Sequence, residues 1–274
     1  MTRGPLVSIV MPVYNAAATV DEAVRSLLAQ THESLEIVVV DDGSRDRSVD
    51  IVRGTTDQRV RIVQQEHRGL VPALIRGWAE ASGECIARLD ADDVAYPGRI
   101  AAQVAYMEQH HDVGLLGTWV SLRDEEGRTR PFQPPVADIA LRRYLLWDNP
   151  FVHSTAMFRR RAYRDAGGYT EGPNEDYRLW ISIARAWKLA VLPEVLVMHR
   201  VRGTSHSGST PRDIALRTRL AAQWDAARLL GPWHQAIPAL TTTGAAYLLA
   251  RVGGTPERWV RSRARGVGPS RPGR

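Results

Sequence analysis

Short apolar runs rich in β-branched residues alternate with stretches of helical spacing through the first half of this chain, and two of the runs end on aspartates. The runs are LVSIVMP at 6–12, LEIVVV at 35–40 and CIARL at 85–89. Runs of this length, closed by turn-forming residues, read as buried parallel strands. Between the first two, Val20, Ala23, Val24, Leu27 and Leu28 recur at helical spacing, and Thr19-Val20-Asp21-Glu22 offers a capping box to open that helix. The pattern continues with a helix over 48–52, a strand over 60–63, a helix over 71–81 and the strand 85–89. Strand, helix and strand in this order imply an α/β fold whose mostly parallel sheet carries helices on both faces. Sites in such sheets lie beyond the carboxyl ends of the strands.

The second half extends the series. A helix is expected over 97–110, a strand over 113–120, a Pro-rich surface excursion over 123–135 and a helix over 139–147. After the segment 149–158 come a short helix over 159–166, a Gly167-Gly168 turn and a helix opening at Asn174-Glu175-Asp176, with Leu179, Trp180, Ile183 and Trp187 on one apolar face. A closing strand follows over 189–198. Beyond 209 the character changes to helices rich in Arg and Ala over 213–229 and 236–251, and a basic tail over 258–274 is expected to be partly disordered.

Two stretches carry chemistry by composition alone. Asp41-Asp42 follows the second strand, and Asp90-Ala91-Asp92-Asp93 follows the strand that holds the only cysteine, Cys85. Unpaired carboxylates at a buried strand end repel one another and are costly to desolvate, so a divalent cation is expected among them. One cysteine excludes an internal disulfide and a multi-thiolate metal site. The net charge of +6 rests almost wholly on arginine, Lys188 being the only lysine, which suits phosphate-bearing partners. Genome base composition explains most of these arginines equally well, and without an RNA-binding motif no nucleic-acid partner is expected. With no signal-like segment and no apolar run long enough to span a membrane, the expected location is cytoplasmic.

Taken in order, VSIVMPVYN, IVVVDDGSRD, LDADD and NEDYRLW resemble the inverting nucleotide-sugar glycosyltransferases of the GT-A fold, in particular the large bacterial family numbered two. The resemblance spans about residues 6–208. It implies a glycosyltransferase domain over 1–208, with a nucleotide-binding half at about 6–120 and an acceptor half at 121–208. A helical extension over 209–257 and the tail over 258–274 follow.

The resemblance also implies site residues. Pro12, Val13, Tyr14 and Asn15 would receive the base and ribose, and Asp42 would accept the N3–H of uracil or thymine, favouring a UDP-sugar or dTDP-sugar donor. Arg68, in His67-Arg68-Gly69-Leu70, would lie near the nucleotide. Asp90 and Ala91 would flank the ribose or diphosphate, while Asp92, with Asp93 as the second choice, would hold Mg2+ or Mn2+. Asp176 would be the base that deprotonates the acceptor hydroxyl, although acidic residues in a first helical turn also serve the helix dipole. His153 and Glu175 fall on the acceptor side.

The chain departs from the family in His199-Arg200-Val201-Arg202-Gly203-Thr204-Ser205, where Arg202 stands at a position that often carries histidine. Arg200 and Arg202 thereby become candidates for binding diphosphate directly. The acceptor would be a glycan, a lipid-linked glycan or a small molecule. Trp233, Trp259 and the C-terminal arginines suit peripheral contact with the inner face of a membrane, and packing on the catalytic domain or on a second subunit, as in a homodimer, is the alternative. A sugar nucleotidyltransferase would want a Gly-rich, basic loop after the first strand, and 13–19 has no Gly, Lys or Arg. The remaining competitor is a scaffold that binds nucleotide without turnover.

Overall fold

The computed structural model of the chain describes residues 4–201, 212–230 and 236–251. Three parallel crossovers build the first half: β1 (Val7–Val13), α1 (Val20–Leu28), β2 (Leu35–Asp41), α2 (Ser48–Arg53), β3 (Val60–Gln64), α3 (Leu70–Glu80) and β4 (Cys85–Arg88). β2 and β4 flank β1, all parallel, and β3 extends the sheet beyond β2. The pleat sends alternate residues to opposite faces. Ile9 and Met11 pack with Val24 and Leu27 of α1, whereas Val10 packs with Leu74 and Trp78 of α3. Gly77 makes the second contact possible, because a Cβ there would lie 2.4 Å from Val10 Cγ1.

The second half converts the parallel sheet into a mixed one. β5 (Val94–Ala95), α4 (Arg99–Gln109), β6 (Val113–Arg123), β7 (Thr129–Phe132), α5 (Asp138–Leu145), a 3-10 turn at His153–Thr155, β8 (Met157–Arg159), α6 (Arg160–Asp165), α7 (Glu175–Ile183) and β9 (Lys188–Arg200) follow in order. The strands lie in the order β3-β2-β1-β4-β8-β6-β9-β5, with β7 paired to β6. β8 runs antiparallel between β4 and β6, and β9 lies parallel to β6. A buried polar pair clamps this junction: Arg99 donates to the carbonyls of Arg88 and Ala156, and Gln103 donates to those of Leu116 and Thr155. Both side chains add donors to backbone carbonyls around the short β8.

Most expected elements are present, with three additions and one correction. β5, β7 and β8 are strands where no strand was expected, and β7 turns the supposed excursion over 123–135 into a hairpin. The capping box does not form. Thr19 makes no side-chain cap; its hydroxyl points back to the Ala16 carbonyl at 3.4 Å, and Glu22 is drawn away by the guanidinium of Arg200. Helices α8 (Arg212–Leu230) and α9 (Ile237–Arg251) follow, and Ala222, Ala226 and Ala227 of α8 are buried in the same core as α5 and α7. Among the described residues no helix is long and apolar enough to cross a membrane. The tail over 258–274, Trp233, Trp259 and Arg202 lie outside the described residues.

Candidate active site

The carboxyl ends of β1 and β2 carry the residues expected to receive the nucleotide. Pro12 sits in a central strand yet leaves no broken bond, because β4 pairs with β1 only as far as Val10. Pro12 and Val13 are buried in the sheet, and Tyr14 emerges exposed. Asn15 takes a left-handed conformation, φ 49°, in which its carboxamide oxygen accepts from Arg45 N at 2.8 Å and its own N–H donates to Ser44 Oγ at 3.0 Å. Asp41 accepts from Ser44 N at 3.1 Å and so holds the loop. Asp42 is buried, and its Oδ1 accepts from the backbone N–H of Arg68 at 2.9 Å while Oδ2 accepts from that of Gly69 at 2.8 Å. Arg68 directs its side chain to solvent.

At the end of β4 the aspartates have separate surroundings. Asp90 is ion-paired to the buried Arg88, Nη2 to Oδ1 2.6 Å, and Ser154 Oγ bridges its backbone N–H and its Oδ2, both at 3.0 Å. Burial works to raise the Asp90 carboxyl, and the Arg88 guanidinium overrides it, holding the group well below the usual carboxylate range. Ala91 is buried. Asp93 is wholly buried as well: Oδ2 lies 2.8 Å from His199 Nδ1 and Oδ1 accepts from Arg200 N at 2.9 Å. Burial disfavours charge on His199, yet the Asp93 hydrogen bond raises it above the ordinary imidazole value. Arg200 donates to the Asp92 carbonyl and pairs with Glu22.

The donor set fits a hard divalent cation of the Mg2+ or Mn2+ type. Such ions are held by one or two carboxylates together with substrate phosphates and water, so no all-protein cage is needed. Among the described residues no three His, Cys, Asp or Glu side chains gather into such a cage. Asp92 lines the pocket with His199, whose Nδ1 is already fixed by Asp93, the carboxylate–histidine arrangement that orients a metal-side imidazole.

The opposite chemistry comes from the start of α7. Asn174, left-handed at φ 57°, turns the chain into the helix and is anchored by its Nδ2 to Thr218 Oγ1 of α8 at 2.9 Å. Asp176 Oδ2 accepts from Asn149 Nδ2 at 2.8 Å, and its Oδ1 accepts from Tyr177 N at 2.7 Å. Asn149 is itself fixed, its Oδ1 accepting from Phe151 N at 3.0 Å. Burial, reinforced by the neighbouring Glu175, pushes the Asp176 carboxyl up to about 7. Burial raises Glu175 too. His153 lies 3.9 Å from Glu175 and 2.7 Å from the Tyr169 hydroxyl; burial, then Arg88, keeps it neutral.

One pocket of about 490 Å3 brings these groups together. Asp90, Asp92, His153, Glu175, Asp176 and Arg200 all line it, as does Leu70, the residue after the glycine that binds Asp42. Tyr14, Asn15, Asp42, Arg68 and Asp93 do not line it. Four lining residues were not expected in the pocket wall: Arg88, Pro173, and Ala215 and Thr218 of α8. Arg88 had a signal, a charge inside an otherwise apolar strand; the α8 residues had none.

Known proteins share this architecture. The S. aureus TarS fragment 1–349 solved with UDP-GlcNAc superposes with a TM-score of 0.67 at 18% identity, covering 89% of this chain and 81% of that one. The mannosyltransferase PcManGT from Pyrobaculum calidifontis, solved with GDP-Man and Mn2+, superposes at 0.61 with 21% identity over 96% of this chain and 80% of that one. At such identities the likeness is one of fold, the GT-A fold. In sequence, the putative glycosyltransferase EpsE of Bacillus subtilis is 32% identical over 190 residues, 66% of this chain and 67% of its own length. The amylovoran biosynthesis glycosyltransferase AmsE of Erwinia amylovora is 32% identical over 200 residues, 70% of this chain and 75% of its own length. The family model for glycosyl transferase family 2 matches residues 8–167, and this chain belongs to that family as a glycosyltransferase of the GT-A fold.

Proposed function

We propose that the enzyme transfers one sugar, with inversion, from a UDP-sugar or dTDP-sugar to an acceptor hydroxyl, in the making of a surface polysaccharide or a related glycoconjugate. The observation that carries this reading is the pair of unlike carboxylates on one pocket, Asp92 at the end of the nucleotide half and Asp176 at the head of α7. Asp176, raised to about 7, is half ionised near neutrality, so it can accept a proton without being a strong acid's unreactive anion. Asn149 and the Tyr177 N–H fix the two oxygens, which leaves a defined lone pair for the acceptor O–H. With a single base on the acceptor side, attack opposite the departing nucleotide inverts the anomeric centre.

On the donor side, Asp92 with His199 would hold Mg2+ or Mn2+. The ion's chemistry there is Lewis-acid stabilisation of the charge that grows on the leaving diphosphate. Arg88 keeps Asp90 ionised, so Asp90 can accept from donor hydroxyls, and Arg200 adds positive charge beside Asp92. Arg202 is proposed as a second diphosphate-binding cation. TarS and PcManGT, solved with a UDP-sugar and a GDP-sugar, support a nucleotide-sugar donor, and the amylovoran role of AmsE supports a polysaccharide product. The reading sets the reaction on the cytoplasmic side, with residues 209–274 available for peripheral membrane contact or a homodimer contact.

The test is transfer from UDP-sugars and dTDP-sugars to a panel of glycan and lipid-linked acceptors, comparing wild type with Asp176→Asn. Loss of about 10²–10⁴-fold in kcat with UDP affinity retained is the expected result for a general base. Full activity in Asp176→Asn would remove Asp176 from the chemistry.

A further inference from the structure

Asp42 has a crowded carboxylate. Two oxygens offer about four lone-pair positions. Here Oδ1 accepts from Arg68 N and Gln65 Nε2, Oδ2 accepts from Gly69 N, and His67 Nδ1 lies 2.8 Å from Oδ2 while hydrogen-bonding the Asp42 backbone carbonyl at 3.1 Å. The same imidazole lies flat on Tyr14, ring centroids 4.0 Å apart and planes 18° from parallel. A planar ring stacked on Tyr14 with a ring nitrogen against the Asp42 carboxylate occupies the place a uracil or thymine would take in the nucleotide reading proposed above. That slot is filled by the protein's own side chain.

The Asp42 donors differ in their freedom to leave. Arg68 and Gly69 bind through backbone N–H groups at the foot of α3, and the loop that carries them presses on Gly43, where a Cβ would meet His67 N at 2.8 Å. Gln65 gives up only one bond if it moves and covers no ring. His67 is half exposed, 52% for its side chain, and its rotation alone uncovers both the Tyr14 face and an oxygen of Asp42. We infer that His67 is an internal placeholder for the donor nucleobase, which must be swung out before the base can stack on Tyr14 and donate to Asp42. This residue therefore sets donor affinity. It rests on the nucleotide-sugar reading.

An affinity measured against a slot that is mostly filled is reduced by the fraction of open molecules, so removing the occupant tightens binding. Calorimetric titration of the full chain with UDP tests this. Asp42→Ala should lose UDP binding, and His67→Ala should bind UDP about fivefold more tightly than wild type. Proton NMR gives a second readout. The His67 Hε1 resonance should lie upfield under the Tyr14 ring in the free enzyme, lose that displacement in Tyr14→Leu, and move downfield when UDP is added. UDP binding that depends on Asp42 but is unchanged or weakened in His67→Ala overturns the placeholder and leaves the nucleotide reading standing. Absence of UDP and dTDP binding, or UDP binding indifferent to Asp42→Ala, overturns both.

Discussion

At the scale of single residues, the proposed chemistry falls to Asp176 and its partner Asn149. The Asp176 carboxyl stands near 7 because burial and then the Glu175 charge raise it, while the Asn149 and Tyr177 hydrogen bonds pull it down. A base works deprotonated, so kcat/KM should rise with pH through an acid limb near 7. Removing Asn149's amide in Asn149→Leu withdraws a bond to the charged form, and the limb should move up. Removing the neighbouring charge in Glu175→Gln should move it down. Opposite displacements in the two variants, read from pH–rate profiles, are the expected outcome; a limb fixed in both would assign it to another group. The same residue has a stability signature. The folded protein keeps the Asp176 proton up to about 7, whereas the unfolded chain releases it near 3.8, so stability is present below that lower value and is lost as pH climbs between the two. Asp176→Asn lacks this loss and should melt higher than wild type at pH 8 while the two converge at acid pH.

At the scale of elements, the helix without a motif is the one that braces the site. α8 ties Asn174 through Thr218, and Gln223 and Arg219 donate to the Trp147 carbonyl two residues before Asn149. Both ends of the Asn149–Asp176 hydrogen bond are thus supported from one face of α8. Thr218→Val keeps the shape but drops the bond to Asn174, and should lower transfer more than it lowers UDP affinity. Ala226, wholly buried, admits no larger side chain without shifting the helix, so Ala226→Leu should cost about 1–3 kcal/mol in chemical denaturation. None of this was legible in residues 213–229, since a small-residue face that packs on a neighbour carries no sign of which neighbour. β1, β2 and β4 were legible because each is a mainly apolar run buried on both faces. β8 was not: Met157–Arg159 is too short for period, and its pairing with β4 and β6 is set by partners far away in the chain. The capping box failed for a similar reason, a long-range Arg200 outcompeting a local contact for Glu22.

Across the whole molecule, the sheet and the core under α3 and α7 link the half that would hold the nucleotide to the half that carries Asp176. The sequence exposed the two acidic strand ends and the α7 carboxylates as separate motifs; it did not expose that Asp93 is spent on His199 or that Asp42 is already filled, because both follow from residues brought together by the crossovers. A donor that engages Asp42 at one end and Asp92 at the other binds only the folded chain, and so raises its melting temperature by mass action. At a hundred times its dissociation constant the gain is about 2.7 kcal/mol, or about 5 °C for a chain of this size. The increment should divide in two. One part, given by UDP in EDTA, depends on Asp42; a further part, restored by Mn2+, depends on Asp92 and His199. Asp92→Ala should therefore keep the first increment and lose the second, and GDP should give less than UDP or dTDP because Asp42 is matched to an imide N–H. Equal shifts in EDTA and Mn2+ would mean that the diphosphate is held by arginine alone, with Arg200 and Arg202 supplying the charge that the proposal gives to an ion.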